Sequence, residues 1–389
     1  MDLVPRPQDP VRRARSTPQT RALPPQHSWE TLLAVRDQER SGTVIRSLQY
    51  ELHRPLPMDN LTHTAIGLFL SRAGLNRWTP RATAILLLAS NAPDIDTVSL
   101  AGGSLSYLHY HRHLTHALIA IPFMAVASVA LVRFAGTKPI RWPGAIAAAA
   151  IAVAIHLLLD YTNMYGIRLF LPFSAEWLRL DTTSVVDLWI WAVIVVGIAA
   201  PFLGRLVGAE VSSGSLRPRH HGRRAAIFVL IFILLYGAGR AVLHARAAAM
   251  LDARIYQGGQ PLRVAALPNP ANPLRWRGLI ETREFYAVVD VDLLAPFDPS
   301  RATIFQKPEP NPALDAARRT PTFQKFLEFS QFPLWRVLPV PEPENGTEVQ
   351  AIDMRFGSPA EPGFVADAVL NSSLKVVQAE FSFGKLQPR

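Results

Sequence analysis

Between residues 62 and 243 the chain alternates long apolar runs with short basic loops, a pattern found nowhere else in it. Four runs, 117–135, 143–159, 188–204 and 225–243, each approach the ~20 apolar residues needed to cross a bilayer's hydrocarbon core. One such run is easily a buried core helix; four in succession predict a multi-pass membrane protein. Two shorter apolar segments come first, "THTAIGLFLSRAGL" (62–75) and "RATAILLLASN" (81–91). At ~1.5 Å rise per residue neither spans fully, so both are expected to be tilted, half-inserted or packed against the longer helices. Pro93 ends the second, because the residue before a proline disfavours helical geometry.

After residue 245 the period changes. Segments 278–293, 333–341, 347–356 and 364–383 are rich in Val, Phe and Thr, alternate in part, and are separated by Pro, Gly and Asn. They predict a soluble, mostly antiparallel β domain over 250–389, with one helix at 312–330 and a Pro-rich entry linker at 261–273. The expected fold is therefore an α-helical integral membrane bundle, with four clear spans and two short helices over 58–245, followed by that β domain. Residues 1–57 are Pro- and Arg-rich without periodicity, and disorder is expected there. Met58, where the ordered pattern begins, is the expected natural start.

Composition narrows the chemistry. The 389 residues include no cysteine, which excludes disulfides and thiolate ligands, so any metal must be held by His, Asp or Glu. The formal net charge of +10 does not point to nucleic acid, because much of the basic excess lies in loops beside apolar runs. Loops 72–81, 133–141 and 205–224 carry Arg72, Arg77, Arg81, Arg133, Lys138, Arg141, Arg205, Arg217, Arg219, Arg223 and Arg224. The positive-inside rule puts that end of the bundle in the cytoplasm.

The ionisable residues of the apolar region gather at the opposite end. His63 follows the expected N-cap Thr62; Asp94 and Asp96 follow the second short helix; His111 and His116 precede the third; His156 and Asp160 close the fourth; Asp181 and Asp187 flank the fifth. In an up-and-down bundle the starts of odd helices and the ends of even ones meet, so all five groups converge on the extracytoplasmic side. The last span ends there too, which places the β domain beside them. A start at Met58 fits this topology, since a long Arg-containing extension would otherwise have to be translocated.

Each residue also has a bland reading. His156 and Asp160, at i and i+4, share one helix face and suit one ion, or the Asp can orient the imidazole; alone they are as easily a polar cap. His156, however, lies inside an apolar run, where an ionisable group is costly. Asp94 and Asp96 in a Pro turn are ordinarily caps, but two carboxylates beside imidazoles suit zinc, manganese or iron. Of the four histidines in "LHYHRHLTH", His109 and His113 are the expected spectators. Arg112 either holds an anionic oxygen or snorkels at the interface.

"MDNLTHTAIG" (58–67), "PDID" (93–96), "HRHLTH" (111–116) and "HLLLDYTNMYG" (156–166) resemble, in order and spacing, the motifs of the YdjM-type membrane-bound, predicted metal-dependent hydrolase family. The resemblance covers roughly residues 58–205. It implies His63, Asp94, Asp96, His111, His116, His156 and Asp160 as the metal-binding and catalytic set. Ala117 stands where the family often has serine, so no hydroxyl is available there. More weakly, the motif order is similar to that of zinc-dependent phospholipase C and single-strand-specific nucleases, which implies phosphoester hydrolysis.

The expected function is that of a multi-pass hydrolase of a bacterial inner membrane, using one to three divalent ions, zinc before manganese or iron. Asp94 or Asp96 would act as base and Arg112 would neutralise developing charge. The partners expected are membrane lipids and a lipid-linked or other phosphoester substrate. Two rivals stand beside it: a metal- or solute-handling protein, and a non-catalytic anchor whose C-terminal domain binds a partner.

Overall fold

A computed structural model of the chain describes residues 58–211 and 221–384. The expectations for residues 1–57, and for the part of the basic loop at 212–220, lie outside the described residues.

The helical region opens with α1 (Met58–Ala73) and α2 (Ala82–Ala89), followed by a 3-10 segment, Pro93–Gly102. Then come α3 (Ser104–Tyr110), a 3-10 turn Leu114–His116, α4 (Ala120–Phe134), α5 (Trp142–Thr162), α6 (Leu188–Val211) and α7 (His221–Asp252). Because α1 starts at Met58, Thr62 lies within it rather than capping it. Gly67 lets α1 settle against α2: a Cβ there would stand 2.6 Å from Ser90 Oγ and 2.8 Å from the Leu86 carbonyl. Along α5, Ala145, Ala148, Ala149 and Ala152 are buried, and such small side chains let neighbouring helices approach closely. Leu86, Val129 and Val153 fill the core between α2, α4 and α5.

Four full spans are not what the described residues show. Two helices, Trp142–Thr162 and Gly222–Asp252, are long and apolar enough to cross a membrane, or three if a bent pair counts as one span. That pair is Ser104–His116 with Ala120–Phe134, which meet at 88°. The apolar run 117–135 begins with a turn that belongs to the site, and α4 keeps only 15 residues, about 22 Å of helix. The third run, 188–204, gives a shorter apolar helix, Leu188–Leu203. Conversely α7 outlasts its apolar stretch, because "RAAAMLD" is rich in strong helix formers.

Two basic loops and the start of α7 meet at one end of the bundle. The Arg141 guanidinium donates to the Arg77 carbonyl at 2.9 Å, Arg81 reaches the Val132 carbonyl, and Arg223 donates to the Ala73 carbonyl at 2.9 Å.

After α7, strands β1 (Arg263–Pro268), β2 (Arg275–Glu281), β3 (Phe285–Asp292) and β4 (Thr303–Gln306) form an antiparallel sheet in chain order. The stretch 261–273 is thus no simple linker, since it contains β1. Leu251 and Ala247 of α7 bury themselves against Trp276, Ile280 and Val289 of this sheet. The expected helix at 312–330 is two: α8 (Pro312–Arg318), capped by Asn311, and α9 (Pro321–Phe329), capped by Thr320. Strands β5 (Pro333–Val340), β6 (Gly346–Asp353), β7 (Phe364–Leu370) and β8 (Val376–Phe383) form a second antiparallel sheet. Phe323, Phe326 and Phe329 of α9 pack onto it in a core that also takes in Met164, Tyr165 and Trp177 from the segment after α5.

Candidate metal centre

Five segments converge at one end of α5. His156 and Asp160, one helical turn apart, share a buried face. The 3-10 segment after α2 points Asp94 and Asp96 inward while Ile95 and Val98 stay exposed. The turn Leu114–His116 delivers His116, the residue at the end of α3 supplies His111, and α1 supplies His63. Asp94, Asp96 and His111 are nearly buried; His63, His116, His156 and Asp160 are at most 1% exposed.

Four of these side chains, Asp94, His116, His156 and Asp160, place one ligand atom each within 4.8 Å of all the others. His116 Nε2 lies 3.2 Å from His156 Nε2, 3.2 Å from Asp160 Oδ2 and 3.5 Å from Asp94 Oδ1. His156 Nε2 is 3.4 Å from Asp160 Oδ2 and 3.6 Å from Asp94 Oδ1. An ion bound tetrahedrally at about 2.0–2.1 Å sets its ligand atoms about 3.3 Å apart. Five of the quartet's six separations are close to the edges of such a tetrahedron, and the sixth, between Asp94 and Asp160, is within 4.8 Å.

The hydrogen-bond partners fix what the atoms present. His156 Nδ1 is 2.8 Å from the Ser90 carbonyl, which can only accept, so Nδ1 carries the proton and Nε2 turns a lone pair inward. His116 Nδ1 lies 3.1 Å from the Asp96 carboxylate and 3.0 Å from Thr115 Oγ1, whose own proton goes to Asp96 at 2.7 Å. Its Nε2 therefore also turns a lone pair inward. With both Nδ1 atoms carrying the imidazole protons, two Nε2 lone pairs and two carboxylate oxygens face one another, a set that suits a cation. Charge agrees. Asp94, Asp96 and Asp160 against the Arg112 guanidinium leave two negative charges, which a divalent ion would neutralise.

Around the quartet the remaining residues brace it, and imidazoles and carboxylates held this way are typical of metal sites. Asp96 takes His111 Nδ1 on one oxygen at 2.8 Å and the Arg112 backbone N–H on the other, also at 2.8 Å. Burial pushes the Asp96 carboxyl up, but hydrogen bonds from His111 and His116 outweigh it and hold the group far below the usual range. Arg112, at a left-handed φ of 56°, donates to Asp160 Oδ1 at 3.0 Å, Asn163 Oδ1 at 3.1 Å and the Gly166 carbonyl at 3.4 Å. It faces the back of a quartet member. His63 stacks on His156 with ring centroids 3.8 Å apart, and its Nε2 is 3.5 Å from Asp160 Oδ1.

All seven expected ligands thus fall in one cluster, together with Arg112, but Asp96, His111 and His63 surround the quartet instead of joining it. Asp181 and Asp187, expected at the same place, are engaged elsewhere. Asp181 pairs with Arg179, and Asp187 caps α6 and accepts from the Tyr236 hydroxyl at 3.1 Å. His109 and His113 stack loosely beside the cluster, with His109 3.7 Å from Glu328. Residues that sequence reasoning passed over are Ser90, Asn163, Tyr165 and Arg168. Asn163 had a signal: followed by Gly166, whose φ is 84°, it makes an Asx turn by accepting from Tyr165 N at 2.9 Å. Arg168, buried over Trp177, had none.

A helical bundle with membrane-length helices, enclosing at one end a buried carboxylate–imidazole quartet that could hold a metal ion, describes the class of this protein. Residues 58–247 match the family model described as YdjM inner membrane protein, and residues 312–386 match that of the YfhP C-terminal alpha/beta plait domain. The family model thus falls on the helical part of the chain, where the motifs quoted above lie. The chain is also similar to the uncharacterized protein YfhP of Bacillus subtilis (strain 168), 26% identical over 355 residues, 85% of this chain and 98% of that protein. No solved structure matches the chain significantly.

Proposed function

We propose that the protein is a membrane metal-dependent hydrolase in which His116, His156 and Asp160 hold a divalent ion, zinc before manganese or iron, and Asp94 acts at the open side. The observation that carries this reading is the quartet itself: ligand atoms at tetrahedral spacing, with both imidazole protons turned outward. A divalent ion there supplies Lewis acidity and draws the pKa of a coordinated water toward ~7. Two imidazoles and one carboxylate are a catalytic ligand set that leaves a position for water.

Asp94 is the quartet member with the most exposure, 9%, and its Oδ2 has no hydrogen-bond partner. It takes the proton from the attacking water and returns it to the leaving group. Asp96 is committed to four donors and is left no such freedom. Arg112 holds Asp160 in place. It is therefore engaged on the far side of Asp160 and not free to meet a phosphoryl oxygen.

The substrate class proposed is a lipid-linked or other amphiphilic phosphoester. The segment that turns Asp94 inward exposes Ile95, Val98 and Leu100, an apolar rim suited to acyl chains. The basic residues of two loops and of the start of α7, gathered at the other end of the bundle, support a cytoplasmic assignment for that end, which would set the site and the C-terminal domain outside.

A second reading has its own support. Four protein ligands closing a tetrahedron describe a structural ion, and structural zinc sites are closed. Asp94→Asn separates the two. If Asp94 is the base, the variant keeps its metal and loses hydrolysis of a phosphodiester probe, bis(p-nitrophenyl) phosphate, by about 100-fold or more. Metal-loaded wild type without any hydrolysis of phosphoester probes would leave the structural ion as the function of the site.

A further inference from the structure

We infer that the C-terminal domain is a working part of the metal centre, and that Arg355 is its positioning residue. The inference rests on the metal reading above and extends it across the boundary between the helical and β-rich parts.

Arg355 follows β6 and is 1% exposed; its partner Asp353 is fully buried. The guanidinium meets both Asp353 oxygens, Nη2 at 2.7 Å and Nε at 3.1 Å. Nη2 also donates to the Phe329 carbonyl within the domain at 3.1 Å, while Nη1 reaches out of it to the carbonyls of Met164 and Tyr165 at 3.3 and 3.4 Å. Met164 and Tyr165 sit inside the turn that ends α5, between Asn163 and Gly166. Those two residues supply the oxygens that hold the Arg112 guanidinium, and Arg112 in turn holds Asp160 of the quartet. One unbroken series therefore runs from Asp353 through Arg355, the 163–166 turn and Arg112 to a ligand of the ion.

The Tyr165 side chain reinforces it from the other face. Its ring lies 4.8 Å beneath the Arg112 guanidinium and 5.7 Å from the His111 ring, and packs against Phe329, Phe356 and Phe364 of the C-terminal domain at 4.8–6.0 Å. A bound metal is sensitive to such outer partners, because they set the direction in which a ligand's lone pair points. A buried Arg–Asp pair that only stabilised the domain would need no donors toward residues 164 and 165.

The test uses the full-length protein in detergent with cobalt(II) as the probe, read by its d–d absorption and by titration. The principal variant is Asp353→Leu with Arg355→Met, which removes both charges so that neither is left buried alone. Arg355→Lys is the second, keeping the charge but not the fork. Arg277→Met is the control: Arg277 donates to the Met354 and Gly357 carbonyls, so its loss loosens the same domain without touching the 163–166 turn. The double variant should bind cobalt about tenfold more weakly with a shifted spectrum, Arg355→Lys should fall between, and Arg277→Met should match wild type in both. Wild-type affinity and spectrum in the double and Lys variants would overturn the inference, as would equal changes in Arg277→Met. Wild type that binds no cobalt would overturn the metal reading beneath it.

Discussion

Two buried ionic clusters lie back to back in this molecule, and they are built on opposite principles. In the C-terminal domain, Asp353 and Arg355 satisfy each other: one carboxylate, one guanidinium and the carbonyls around them leave no net charge. In the helical region, three carboxylates and four imidazoles share one guanidinium, and four of the acceptors point at one spot. The first arrangement needs nothing more. The second is stable as drawn only if protons or a cation enter it, since like charges at this depth repel strongly. Equal burial therefore says little about function; the balance of donors and acceptors says much more.

That contrast can be broken most sharply on its balanced side. Arg355→Ala leaves the Asp353 carboxylate buried and uncompensated, and should cost about 3–5 kcal/mol of stability. Removing both charges should recover most of that, measured by chemical denaturation in detergent; a double variant as unstable as the single one would show that the pair contributes more than mutual compensation. On the unbalanced side, Asp96→Asn keeps the shape around His116 but replaces a fully accepting group with one that must donate. Metal affinity should fall about 10–100-fold with the fold intact, and isothermal titration showing wild-type affinity would remove Asp96 from the centre's support.

A surface pair sets the scale. Burial pushes the Glu281 carboxyl up, but Lys307 at 2.8 Å and Arg263 outweigh it and hold the group below its ordinary value. A depressed carboxylate contributes stability that is complete above its unfolded pKa and is lost as pH falls through the folded one. Glu281→Gln should thus cost about 1 kcal/mol or less at neutral pH. The difference from wild type should shrink as pH falls below the unfolded carboxyl's ~4.3 and vanish once the folded carboxyl is protonated; a cost that persisted there would mean packing rather than charge.

The sequence made the cluster legible because its signals were local and apolar-facing. His156 and Asp160 share a face by helical spacing alone, and an imidazole in an apolar run is conspicuous. What spacing could not tell was the division of labour. Asp94 and Asp96 look alike in "PDID", yet one faces the quartet and the other accepts from the residues bracing it, because successive positions of a 3-10 turn point different ways. Asp187 carries the same chemistry as Asp94 and is a helix cap; only the path of the chain separates them. Arg112 looked like a group for substrate and turned inward, at a φ no sequence rule assigns to arginine. The fold shows the same limits. Four apolar runs were read as four spans, but Ala117–Ile119 is drawn into a turn, where Leu118 N donates to the Leu169 carbonyl at 3.0 Å. Strand β1 was hidden by the proline-rich stretch it lies in and by its own Pro268, which suits an edge strand as well as a linker. Arg355 was invisible because its importance lies in contacts with residues nearly two hundred positions away.

The most direct measurement is the metal content of the full-length protein, purified in detergent without chelators, beside His116→Ala and His156→Ala. A quartet of the kind described predicts about one tightly held divalent ion per chain, lost in both variants while both remain folded. A well-folded wild type that carries no metal, and takes up none when zinc, manganese or iron(II) is supplied, would contradict it.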